Sequence, residues 1–273
     1  MKNDASSSIR SLARSAVFLL AAVLSVQALT PRATSAQEPT AEELAKANNP
    51  LADIKAFNLQ NYYYPKLWEV DDEVANTFWF RAAAPTGPVL WRASLPIIQT
   101  PGGSTGIGDL QLFGAYLAVT DPTFTFGVGP QLSFPTAKTG FGPDVFQAGF
   151  AAVAFAAPSP VIQYGGLITW QTDVNGDPDD PDDPKPNTSA AAIQPFVFWQ
   201  LGGGTYLRAA PIWVFDLESD DYHVPFGVGI GKVLKTESTV FNLFIEPQFT
   251  MAHQGVAQPA FQIFTGVNLQ FVN

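Results

Sequence analysis

Residues 123–136 read TFTFGVGPQLSFPT. Phe124, Phe126, Val128, Leu132 and Phe134 fall at even positions, with Thr125, Gly127, Gly129, Gln131 and Ser133 between them. Successive side chains of a strand point to opposite faces, so this stretch is a strand with one greasy face and one small, polar face. Phe261, Ile263, Val267, Leu269 and Phe271 alternate in the same way with Gln262, Gly266, Asn268 and Gln270. A third copy has Phe241, Leu243, Ile245, Phe249 and Met251 opposing Asn242, Glu246, Gln248 and Thr250.

Twelve such segments are predicted, near 55–63, 74–83, 89–98, 108–119, 123–134, 144–156, 161–172, 190–201, 205–215, 223–233, 239–251 and 260–272. Most are longer than the usual strand of about 5–6 residues, and they suit a tilted crossing of about 25–30 Å of hydrocarbon. Short connections (84–88, 121–123, 157–160, 201–205, 234–239) take turns with longer ones (64–73, 99–107, 135–143, 173–189, 216–222, 252–259). That alternation is the pattern of outer-membrane barrels, with short periplasmic turns and longer outer loops.

The first residues of the chain and its composition agree with export. Lys2, Arg10 and Arg14 precede the apolar run Ala16–Val26, and Ala33-Thr34-Ser35-Ala36 offers a small-residue cleavage site, so residues 1–36 read as a signal peptide. Its removal takes four basic residues and one acid, moving the net charge from −10 to −13 and arguing against nucleic acid as a partner. The chain has no cysteine, so no disulfide holds it together. Charged residues are only 14% against a usual quarter, which is a poor surface to show to water. No later apolar run approaches the ~20 residues of a spanning helix, so a membrane would have to be crossed by strands. A secreted β-sandwich is the competing architecture, but it would want charged outer faces where this chain has Gln, Gly, Asn, Ser and Thr.

The expected fold is therefore all-β, a twelve-stranded antiparallel transmembrane β-barrel over residues 55–273, in the outer membrane of a Gram-negative bacterium. Its partners would be the lipid bilayer, the barrel-insertion machinery and a small-molecule solute. Residues 37–54 form a separate N-terminal periplasmic segment whose AEELAKA stretch has helix formers for about two turns. It could plug the barrel mouth or lie as a tail, and the tail is the favoured expectation. Trp79, Trp91, Trp170, Trp199 and Trp213, with several tyrosines, are expected in the aromatic girdles. Pro130, Pro195, Pro211, Pro225 and Pro247 fall inside strands, where each deletes a ladder hydrogen bond and should mark a bulge or strand end.

The inward faces carry the candidate chemistry. Arg81, Arg92, Asp109, Gln111, Gln131, Arg208, Glu246 and Gln248 are expected to line the lumen and to set which solutes pass. Gln147, Gln163, Gln194, Asn268 and Gln270 accompany them. A hydrolase would need a serine activated by histidine. The only histidines, His223 and His253, are placed in or beside outer loops with no matching serine, so no catalytic residue and no enzyme activity are expected. No cofactor is expected either. The acidic stretch 173–187, DVNGDPDDPDDPKPN, presents Asp173, Asn175 and Asp177 at positions 1, 3 and 5 of a calcium loop. Pro178 stands where that loop needs glycine and Pro184 where it needs glutamate, leaving a weak metal candidate and a hydrated outer loop as the plainer reading.

Five stretches, AKANNPLADIKAFNLQNYYY, GIGDLQ, GVGPQLSFPTA, QPFV and VPFGVGIGKVLK, together resemble a bacterial outer-membrane family labelled as a meta-pathway of phenol degradation. The likeness covers about residues 45–273 and rests on the order of its motifs. It implies a barrel and a role in moving small compounds, hydrophobic or aromatic ones among them, and it carries over no catalytic motif. The expected function is thus an outer-membrane channel or transporter. The alternative is a structural or surface-interaction barrel with a blocked lumen.

Overall fold

The computed structural model of the protein describes residues 39–181 and 184–271. The signal-peptide assignment at 1–36 lies outside the described residues. In chain order the strand segments are β1 (Lys55–Leu67), β2 (Ala75–Thr86), β3 (Val89–Gln99), β4 (Thr105–Ile107), β5 (Leu110–Asp121), β6 (Phe124–Phe134), β7 (Gln147–Ala156) and β8 (Ile162–Asp173). They continue as β9 (Ser189–Gly202), β10 (Thr205–Ala209), β11 (Trp213–Asp216), β12 (Tyr222–Gly227), β13 (Gly229–Lys235), β14 (Thr239–Gln254) and β15 (Pro259–Phe271).

Every pairing is antiparallel, and β15 returns to β1 with Lys55 opposite Phe271 and Leu59 opposite Val267, which closes the sheet. Three physical strands are each interrupted once: β4 and β5 lie in line against β3, β10 and β11 against β9, and β12 and β13 against β14. Counted that way the barrel has the twelve strands expected from the alternation. Closure leaves no free edge, which is the condition for β-structure in lipid, where no water can satisfy an unpaired N–H or C=O.

Burial is inverted relative to a soluble protein. On β14, Glu246 and Gln248 are 0% exposed, while Ile245, Phe249 and Met251 are 48, 63 and 62% exposed. Trp91, Tyr116, Phe150, Tyr164 and Trp199 also face outward, and Gln60, Gln131, Gln163, Asn242 and Gln262 are buried inside. An apolar exterior around a polar interior is the arrangement that hydrocarbon requires, and it places the barrel in the outer membrane. The girdle assignment of Trp79 fails. Trp79, together with Tyr62 and Tyr64, faces the lumen, because the register puts Trp79 opposite Gln60 and Thr77 opposite Tyr62.

The prolines sit where the ladder is broken, as expected. Pro211 lies in the gap between β10 and β11, opposite the part of β9 that holds Pro195. A register shift on the β12–β14 pairing falls between Val224 and Pro225. Pro130 lies where the β5–β6 pairing skips between Gln131 and Val128. Two inward glycines create space for large neighbours. A Cβ on Gly231 would stand 2.2 Å from the Tyr206 ring, and one on Gly229 would stand 2.7 Å from Glu246 Cβ. Side chains of β10 therefore reach across β13 to β14.

The N-terminal segment is not a free tail. Helix α1 (Ala41–Asn48) is opened by a capping box, in which Glu43 N–H donates to Thr40 Oγ1 at 3.3 Å and Thr40 N–H to Glu43 Oε2 at 2.9 Å. Eight residues are too few to hold a helix alone in water, so its surroundings must stabilise it. Leu44 and Ala47 pack with Phe155, Phe196, Phe198 and Tyr206 on one wall of the lumen, and Leu51 packs with Leu90, Phe113 and Ala151 on another. Asn242 Nδ2 donates to the Ala47 carbonyl and to Asn48 Oδ1, both at 3.0 Å, and Asn48 Nδ2 donates to Gln163 Oε1 at 3.0 Å. Lys235 bonds Glu43, and with the Thr40 N–H it holds that carboxyl below the usual glutamate range. The segment thus crosses the lumen at the short-turn end. The tail expectation fails because Leu44, Ala47 and Leu51 are apolar side chains that would otherwise meet water, and the lumen walls cover them.

Candidate functional site

Within the barrel, two chambers of about 150 and 440 Å3 lie one beyond the other. The smaller is bounded by residues of the inserted segment (Ala47–Pro50, Ala52, Ile54) and by Arg208, Asn242 and Gln270. Tyr62, Tyr64, Trp79, Gln111, Gln131 and Gln171 bound the larger. Arg81, Arg92, Leu167 and Gln194 belong to both linings, so the chambers meet at a waist formed by these four side chains. A twelve-strand barrel lies between the packed eight-strand and the wide sixteen-strand types, so a narrow interior is expected.

The waist is cationic. Register places Arg81 opposite Ser94 and Arg92 opposite Ala83, making the two arginines diagonal neighbours on β2 and β3. Arg81 donates from Nη1 to Gln60 Oε1 and lies over the Trp79 ring at 4.6 Å. Arg92 lies over the Phe113 ring at 5.1 Å. Among the described residues no carboxylate comes within ion-pairing distance of either.

Arg208 differs in kind. Its Nε donates to Glu246 Oε2 at 2.6 Å, and Glu246 Oε1 also accepts from the Ala210 N–H at 2.9 Å and Gln248 Nε2 at 2.7 Å. The Arg208 guanidinium lies 3.6 Å from the Phe244 ring centroid. The pair is neutral overall and filled with bonds, so Arg208, Glu246 and Gln248 act as a structural knot in the wall rather than as a charge presented to the lumen.

The remaining expected residues divide. Gln131 and Gln111 line the larger chamber, and Gln131 begins an amide chain running to Gln171 Oε1 (3.2 Å), then from Gln171 Nε2 to Gln147 Oε1 (2.8 Å). Asp109 lines neither chamber. It sits at the β4–β5 break, where Oδ1 accepts the N–H groups of Thr136 and Ala137 at 3.0 and 2.9 Å and pins the loop after β6. At the weak calcium candidate, Asp173 accepts from Gly176 and Thr188 N–H, Asn175 Oδ1 from Phe146 N–H at 2.8 Å, and Asp177 Oδ1 from Asp179 N–H. These bonds fold the loop back on itself through an Asp177–Lys185 bridge, and among the described residues no three His, Asp or Glu side chains gather at metal-binding range.

His223 is not a loop histidine. It lies on β12, buried against the larger chamber, with Nε2 2.8 Å from Thr250 Oγ1. The Thr250 hydroxyl also bonds the Pro259 carbonyl, so His223 and Thr250 tie β12 and β14 to the start of β15. His253 stacks on Trp68 at 4.6 Å.

No family model and no curated protein matches the chain. Among solved structures it is similar to an outer membrane channel from Pseudomonas putida F1, at 12% identity and a TM-score of 0.60, over 89% of this chain and 100% of that one. It is also similar to the NanC porin, at 10% identity and a TM-score of 0.52, over 80% of this chain and 100% of that one. At such identities the likeness is one of fold. It lends no support to the phenol-degradation label.

Proposed function

We propose that the protein is a narrow passive channel for small solutes across the outer membrane, with selectivity set at the waist by Arg81 and Arg92. The observation that carries this reading is the pair of chambers meeting at two lumen-facing arginines that no carboxylate among the described residues neutralises. A wall that only filled space would pair its charges, as Arg208 and Glu246 do. On this reading the short-turn end, with α1, is periplasmic, and the acidic loop 173–187 lies outside the cell. Aromatic cargo rests on the sequence resemblance alone.

The blocked-lumen alternative draws on one observation, the inserted segment that crosses the lumen from Leu44 to Leu51. Purified full-length mature chain in planar bilayers separates the two. Steady unitary openings are expected. Absence of current at every voltage, both from the intact chain and from a chain lacking residues 39–54, would leave the structural reading standing.

A further inference from the structure

Arg81 and Arg92 sit in a setting that a cation tolerates poorly. Among the described residues the buried Nε atoms of both find no hydrogen-bond partner, nor does the hydroxyl of Tyr62, which lines the same larger chamber. Trp79 and Phe113 offer the guanidinium groups ring faces and no acceptor oxygen. Gln60 supplies the one amide oxygen that Arg81 uses. Two like charges side by side also repel, and only an anion removes both penalties together. A carboxylate suits the fork geometry of guanidinium donors better than a spherical ion.

The space beyond the waist indicates what such an anion carries. The larger chamber, at about 440 Å3, falls within the ~300–1,000 Å3 range of small-molecule sites. Ile98, Leu167, Ile212 and Val214 contribute apolar surface to its walls. We infer that the waist is a binding site for a small monocarboxylate with an apolar tail, the carboxylate held between Arg81 and Arg92 and the tail lying in the larger chamber. This rests on the reading of the lumen as a solute path and names the solute class for that path.

The test is isothermal titration of the full mature chain, in a neutral detergent, with hexanoate, hexanamide, hexylamine and inorganic phosphate. Hexanoate should bind, with hexanamide at least about tenfold weaker and hexylamine giving no heat beyond that of detergent alone. Arg81→Gln and Arg92→Gln should each weaken hexanoate binding about tenfold while leaving hexanamide unchanged. Equal binding of hexanoate and hexanamide by the unaltered chain would overturn the inference without reference to any variant. Phosphate binding in place of hexanoate would overturn the carboxylate assignment. Hexanoate binding without current in bilayers would overturn the channel and leave the site. Current without hexanoate binding would overturn the site and leave the channel.

Discussion

Deleting residues 39–54 raises unitary conductance, on this account, by roughly two- to fivefold, because the segment crosses the lumen on the short-turn side of the waist and adds its resistance in series with the waist. The smaller chamber is walled on one side by this segment, from Ala47 to Ile54, so its removal merges that chamber with the lumen at the short-turn end. The barrel should survive the loss. Closure between β1 and β15 begins at Lys55 opposite Phe271 and uses no residue of the segment. What is lost is the burial of Leu44 and Leu51 and the bonds that Asn242 and Gln163 make to Ala47 and Asn48. Asn242 and Gln163 would then meet water, as lumen side chains can. The compact form on an unheated gel should therefore persist. Unchanged conductance in a folded deletion variant would mean that the segment does not lie in the path.

Glu246→Ala should be the most damaging single substitution in the wall, costing about 3–5 kcal/mol, because it leaves Arg208 buried and unpaired. Glu246 is fully buried and takes three donors: the Arg208 side chain, the Ala210 N–H and Gln248 Nε2. The knot continues to Gln262, which donates to Gln248. Replacing both charges, as in Arg208→Met with Glu246→Met, should cost much less than Glu246→Ala, since no orphan charge remains. The denaturant midpoint for loss of the compact form measures both variants. A double substitution as costly as the single one would show that packing, not charge pairing, holds this region.

The barrel was legible in the sequence because its code is local. Alternation in 123–136 places Gln131 inside and Phe124 outside, and the structure follows it. Proline positions also read correctly, since a missing N–H is felt at the residue itself. What failed required knowledge of distant partners. Arg81, Arg92 and Arg208 look alike on inward faces, yet among the described residues only Arg208 is neutralised by a carboxylate. Its partner Glu246 lies 38 residues away, across a strand kept slim by Gly229. Asp109 has inward parity, but the break between β4 and β5 turns it to the loop at Thr136 and Ala137. Residue type places Trp79 in the girdle, although its parity with Arg81 puts it inside. For the inserted segment, the apolar residues Leu44, Ala47 and Leu51 show that a cover is needed without saying which surface supplies it.

The central claim is that solutes move through the lumen past Arg81 and Arg92. It is tested most directly by the reversal potential of single channels under a potassium chloride gradient, for the native chain and for Arg81→Glu with Arg92→Glu. The account predicts anion preference in the native channel and cation preference in the double variant, with both proteins keeping the compact form. Steady currents whose reversal potential is the same in the two proteins would contradict it.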